Sequence, residues 1–228
     1  MVAIALPNIF TSGIYPVEEA ARLARLSPRV LRRWLDGSDD SPAAMDRMIP
    51  RNEAGVVGFI DLVQALAIRA LRKSRQLSLQ KIRQTIVEAN KLGVSYPFAR
   101  KHQTYLFVDD VVIRLENGSI IQVTGKYRLQ HLLQPVVELY LQDLVFDQDC
   151  GLAKRYVPLK RDSLEVVIDP LIKYGSPVVM PNGCTVSSLV DAANSEGSIQ
   201  GAADMYEVAE ADVEIALRYE DILAGTAT

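Results

Sequence analysis

The stretch "EEAARLARLSPRVLRRWLDG", residues 18–37, places three arginines and the only tryptophan of the chain within six residues. Two short helices fit it. From Pro16 a helical pattern starts, with Val17, Ala20, Ala21 and Ala24 on one face. Glu18 and Glu19 fall in the first turn, where the helix dipole favours anions. A tight turn at Arg25-Leu26 follows, then Ser27 as N-cap and Pro28 at the first helical position. On a helix over 28–36, Val30, Leu31, Trp34 and Leu35 form an apolar face, and Arg29, Arg32 and Arg33 form the opposite stripe. Trp34 therefore belongs to the core and not to base stacking. The arginines suit phosphates and guanine edges, and the N–H groups at Ser27 suit a phosphate. A solvated basic helix over a Trp-anchored core has the same pattern.

The segments that follow set the context. Residues 36–58 are rich in Gly, Pro, Ser and Asp and read as a long loop or small wing, on which Arg47 and Arg51 are candidate phosphate contacts. Phe59 to Lys73 is a helix, with Ile60, Val63, Leu66, Ala67, Ala70 and Leu71 at three- and four-residue steps. Ser78 caps a further helix to about Asn90, with Leu79, Ile82, Ile86 and Val87 inward and a stop at Gly93. Residues 105–124 are β-branched and aromatic, with a hairpin signal at Asn117-Gly118. Leu129 to Phe146 reads as a helix interrupted near Pro135. Strands at Arg155–Leu159 and Leu164–Ile168 precede a Gly/Pro-marked segment opening at Asp169-Pro170. Three short helices end the chain, at Val186–Asn194, Ser198–Tyr206 and Glu210–Leu223.

At 228 residues, 49% hydrophobic and 23% charged, the composition is that of a globular protein able to bury a core. Its apolar runs are too short to span a bilayer and no leader pattern is visible, so a cytoplasmic location is expected. Cys150 and Cys184 lie 34 positions apart, and with His102 and His131 they make no spaced metal set; free reduced thiols and no cofactor are expected. The net charge of −3 is unevenly spread. Residues 1–100 hold 15 Lys/Arg against 9 Asp/Glu, and residues 101–228 hold 10 against 19. A basic front and an acidic back suggest two surfaces with different partners, the first polyanionic.

No catalytic constellation assembles. Asp109-Asp110 lies at a strand end, where neighbours point to opposite faces, so a turn fits better than a metal pair. His131 has no identifiable partner, and no Walker, G-x-G-x-x-G or G-x-S-x-G pattern occurs. The chain is expected not to be an enzyme.

The run "YPVEEAARLARLSPRVLRRWLDG", a wing-sized loop, and then "FIDLVQALAIRALRKSRQLSLQKIRQTI" resemble the MerR-like winged helix-turn-helix family over about residues 14–92. The resemblance implies a two-helix DNA reader followed by a wing and a helix pair. The family usually carries Gly where this chain has Arg25. Neither a metal-binding cysteine loop nor a long dimerising coiled coil is evident, so metal-responsive activation is not implied.

A second resemblance covers about residues 164–224. Asp169-Pro170, Gly175-Ser176-Pro177-Val178-Val179, Asn182-Gly183-Cys184-Thr185-Val186 and Val213-x-x-Ala216-Leu217-x-Tyr219 are similar to a small bacterial domain of antitoxins encoded beside PIN-type ribonuclease toxins, the VapB type of type II toxin–antitoxin systems. That family usually has Gly-Thr-Arg where this chain has Gly183-Cys184-Thr185. Residues 169–228 contain ten acids against Lys173 and Arg218, a field that repels a polyanion and attracts a basic protein.

Together these readings give an α+β, mainly α chain. Residues 1–97 form a MerR-like winged helix-turn-helix, 98–163 a small β-rich middle, and 164–228 a C-terminal three-helix, homeodomain-like unit for toxin binding or dimerisation. The expected role is an antitoxin and autoregulator that binds operator DNA as a homodimer and neutralises a PIN-type ribonuclease. Ser27, Arg29, Arg32, Arg33, Arg47 and Arg51 would meet DNA, and Asp204, Glu207, Glu210, Asp212 and Glu214 the partner. A ligand-responsive MerR-like regulator, and an interaction module without DNA binding, remain open alternatives.

Overall fold

A computed structural model describes residues 13–49, 55–75, 77–91, 93–107, 110–115, 120–122 and 142–225. Residues 15–153 form one compact unit, and residues 154–228, with Ile14, belong to a second. That division falls ahead of the 163/164 boundary taken from the extent of the second resemblance, because the strand ending at Arg161 pairs with the one starting at Leu164.

In the first unit, β1 (Ile14–Pro16) leads into α1 (Val17–Leu23) and α2 (Pro28–Asp36). Strand β2 (Val56–Gly58) pairs with β1 and runs into α3 (Phe59–Arg75), followed by α4 (Leu79–Lys91). Both helix pairs form for legible reasons. Ser27 Oγ accepts the Val30 N–H at 3.3 Å, and Ser78 Oγ accepts that of Lys81 at 3.2 Å. Gly93, at φ 76°, closes α4 with Val94 N–H donating to Ala89 O.

The centre of this unit is α3. Phe59, Leu62, Val63, Ala65, Ala67 and Ile68 are all buried, so its N-terminal half is enclosed on every side rather than along one stripe. Helix α1 and a 3-10 turn at Pro97–Ala99 both pack on it, and Phe98 and Ala99 have no exposed surface. In α4 the buried positions are Ile82, Thr85, Ile86 and Ala89. Val87, expected inward, is instead 52% exposed. It lies about 100° around the helix from Ile86, off the three-four stripe that Thr85 and Ala89 complete.

A three-stranded antiparallel sheet follows, of β3 (His102–Phe107), β4 (Asp110–Leu115) and β5 (Ile120–Gln122), against which α4 lies. Arg114 pairs with Ile120 across the expected hairpin. The Asn117-Gly118 turn, Asp109 and His131 are outside the described residues. So is most of the expected helix from Leu129; its end is not helical, since Leu144–Phe146 forms strand β6. The β-branched and aromatic run decides the local form there.

The second unit holds four antiparallel strands, β7 (Ala153–Arg161), β8 (Leu164–Ile168), β9 (Val178–Met180) and β10 (Cys184–Thr185), then α5 (Val186–Glu196), α6 (Ile199–Tyr206) and α7 (Glu210–Ala224). The three-helix unit expected here is thus one layer of a two-layer structure. The short apolar runs Val178–Met180 and Cys184–Thr185, flanked by Pro and Gly, hid two strands within a segment that composition marks as loop. Val166 and Val179 of the sheet join Leu189, Ala202, Ala203, Val213, Ile215, Ala216 and Tyr219 of the helices in one core. On the opposite sheet face Val157, Val167 and Val178 form a smaller cluster. The β7–β8 register shifts between Tyr156 and Leu159, where Pro158 has no N–H to give.

Candidate functional site

The turn between α1 and α2 is a Schellman stop. Leu26 N–H donates to Ala21 O at 2.8 Å and Arg25 N–H to Arg22 O at 2.9 Å. Arg25 sits at φ 53°, the left-handed geometry that the MerR-like pattern assigns to Gly. Keeping a side chain there costs on the order of 1 kcal/mol.

Helix α2 divides as its wheel requires. Leu31, Trp34 and Leu35 are buried, as are Ala20 and Ala21 of α1, which packs on α2, and Ala24 at its C-cap; Trp34 is only 3% exposed. The Trp34 Nε1–H has no acceptor among the described residues, while its carbonyl accepts from Ala44 N at 2.7 Å. Arg29, Arg32 and Arg33 are exposed. Arg32 pairs with Glu18 on α1, whose carboxyl is held below its ordinary range by its own backbone N–H and by Arg32. Arg29 and Arg33 make no hydrogen bond or ion pair among the described residues. Arg33, Arg72 and Arg83, from three helices, share an open groove of ≈ 670 Å³ with Ser38, Ser41 and Ser78. Arg29 and Arg32 border the concavity beside it.

Arg47 is a correction. Its side chain is 11% exposed, donating to Asp36 Oδ1 and to Val56 O, each at 2.6 Å. It ties the end of α2 to β2 and is committed to the interior, not to phosphates. A run of Pro, Ser and Asp gave no sign that this arginine would be enclosed. Arg51 lies outside the described residues.

One functional-looking group was missed entirely. Asp61, in the first turn of α3, has no exposed surface, and its carboxylate accepts from Met48 N at 2.8 Å and Gly58 N at 3.2 Å. Burial pushes its carboxyl up to about 6, against the downward pull of those N–H groups and of Arg47. Asp61 therefore ties Met48 to Gly58. Gln64 and Asn90 add bonds to Asp46, at 3.0 and 2.7 Å. Sequence showed only an acid in a first helical turn, a position that is usually solvated.

In the second unit the acids separate into two kinds. Asp212 is 7% exposed, and its Oδ2 accepts the Ala209 N–H at 3.0 Å, capping α7. It is structural, which corrects its placement as a partner contact. Asp204, Glu207, Glu210 and Glu214 are exposed. Asp204 accepts from Gln200 at 3.0 Å, and Glu214 pairs with Arg161 at 3.2 Å. Cys150 and Cys184 are free thiols. Among the described residues, no His/Cys/Asp/Glu group could hold a metal and no helix is long and apolar enough to cross a membrane.

No family model matches the chain. Over 225 residues, 87% of this chain and 90% of the relative, it is 25% identical to a Mycobacterium tuberculosis protein named "Putative antitoxin VapB45". That relative is named as an antitoxin. The similarity to VapB45 extends over both units rather than over one motif. The fold is shared with the crystal structure of Rv2018 from Mycobacterium tuberculosis, at a TM-score of 0.61 and 20% identity, covering 89% of this chain and 96% of that one.

Proposed function

We propose that this protein is an antitoxin that binds operator DNA and neutralises a basic ribonuclease of the PIN type. The observation that carries the proposal is the similarity to VapB45 over 87% of this chain and 90% of the relative, too long to lie within one unit. On this reading the first unit is a MerR-like winged helix-turn-helix. Arg29 and Arg33 on α2 enter the major groove, and Ser27 offers its helix N-terminus to a phosphate. Arg32 exchanges Glu18 for the DNA, and Arg51 reaches a phosphate from the wing. A homodimer would present two such helices to a palindromic operator.

The acidic second unit then engages the toxin. An RNA-binding entrance must be cationic, so Asp204, Glu207, Glu210 and Glu214 are attracted to the surface that RNA would occupy. Occlusion of that entrance accounts for neutralisation.

Growth rescue on co-expression with a toxin tests the antitoxin role, and a gel shift with the upstream DNA tests autoregulation. A chain lacking 154–228 should fail the first and a chain with Arg29→Ala and Arg33→Ala the second. Rescue by the truncated chain, or an unaltered shift with the arginine variant, overturns the respective half.

A further inference from the structure

The corner between α6 and α7 breaks three rules that stabilise a protein on its own. Met205 is 63% exposed and Tyr206 beside it 37%, although Ala202 and Ala203 on the same short helix are buried. Glu207 closes α6 in left-handed geometry, φ 53° and ψ 44°, where glycine would avoid the Cβ clash. Asp204 and Glu207 add negative charge at the negative end of the helix dipole, and the last turn of α6 holds no basic residue to offset it.

Even so, the corner is well fixed. Val208 N–H donates to Ala203 O at 3.0 Å, and Asp212 caps the helix that follows. An apolar pair is thus held on a rigid turn among three exposed acids, Asp204, Glu207 and Glu210. Departures from local rules that coincide in one place, with no local gain, mark a surface kept for a partner.

We propose that Met205 and Tyr206 are the anchors of a docking surface for a basic protein, entering an apolar pocket on it while Asp204, Glu207 and Glu210 pair with its cationic rim. The proposal rests on the antitoxin reading and names the surface that serves it. The occupant follows from charge. With twelve acids against six cations over 154–228, and only Lys173 and Arg218 of those cations beyond residue 168, this unit repels nucleic acid and a second copy of itself alike. Tyr and Met are enriched at interface centres, and charged groups belong at the rim.

The test co-expresses the tagged full chain with the two reading frames that flank its gene, then measures the affinity of the purified pair. Met205→Gln with Tyr206→Ser should weaken the complex at least about tenfold, while melting temperature and DNA binding stay at wild-type values. Glu207→Gly should raise the melting temperature yet also weaken the complex, a pairing that a merely structural corner would not give. Wild-type affinity in both variants overturns the docking surface and leaves the antitoxin reading standing. A wild-type chain that captures no ribonuclease overturns both. A double variant that changes the oligomeric state identifies the corner as a self-interface and overturns the occupant.

Discussion

Arg47 donates to Asp36 Oδ1 at 2.6 Å, so the last residue of α2 is fastened to the segment that leads into β2. This bond separates two kinds of arginine in one basic region. Removing Arg47 leaves a half-buried carboxylate and an unpaired Val56 carbonyl. Arg47→Ala should therefore cost about 2–4 kcal/mol of stability in denaturant titration. At a temperature where the variant is still folded, the salt slope of DNA binding should match wild type; a slope lowered by one unit would return Arg47 to the phosphates.

The surface arginines should behave in the opposite way. Arg29→Ala and Arg33→Ala each remove an exposed charge, so stability should move by no more than about 0.5 kcal/mol. Each should lower the slope of log K against log salt by about 1 if it meets a phosphate. An unchanged slope in both variants would falsify the recognition-helix assignment.

Arg25 offers a stability test independent of function. Its φ of 53° is open to Gly without strain. Arg25→Gly should stabilise the protein by up to about 1 kcal/mol, reduced by the added freedom of the unfolded chain. Thermal unfolding reads the sign directly, and a clear loss of stability would mean that the Arg25 side chain contributes something not evident from its position.

Asp61 makes stability depend on pH. Its carboxyl is raised from 3.8 to about 6, so the folded chain holds this proton more tightly than the unfolded one. The associated stability is complete below about pH 4, falls as pH rises towards 6, and is flat above that. The loss is on the order of 3 kcal/mol. Asp61→Asn keeps an acceptor for Met48 and should remove this component. Unfolding of the two proteins from pH 4 to 7 should give curves that diverge across that window, and parallel curves would exclude the effect.

Helix α7 supplies a contrast with the docking corner. Asp212→Ala removes the acceptor for Ala209 N–H and should cost about 1 kcal/mol. On the proposed antitoxin reading, partner affinity measured on the folded fraction should be unchanged, whereas substitution of an exposed acid such as Glu210 should change affinity and not stability.

The residues that could be read from sequence are those whose role depends on neighbours within four positions. Ser27 and Ser78 are caps, Trp34 faces inward, and Arg25-Leu26 is a tight turn, all from local spacing. Arg47, Asp61 and Asp212 look like solvated charges because their environments are made elsewhere. Asp61 is enclosed by backbone from positions 48 and 58, and Arg47 by residues 36 and 56. The short strands β9 and β10 were illegible for a related reason. Two or three residues carry no detectable period, and only the pairing of β9 with β8 and of β10 with β9 makes them a sheet.

The burial of Phe98 against the helix α3 side of the first unit bears on how such proteins could be shuffled. A recombination point placed straight after α4 would strip the Pro97–Ala99 turn from the element it covers and leave an apolar scar. Gene fusions that transplant the segment from α1 to α4 onto a different domain should therefore break downstream of Ala99, and natural chimaeras of it should share that seam.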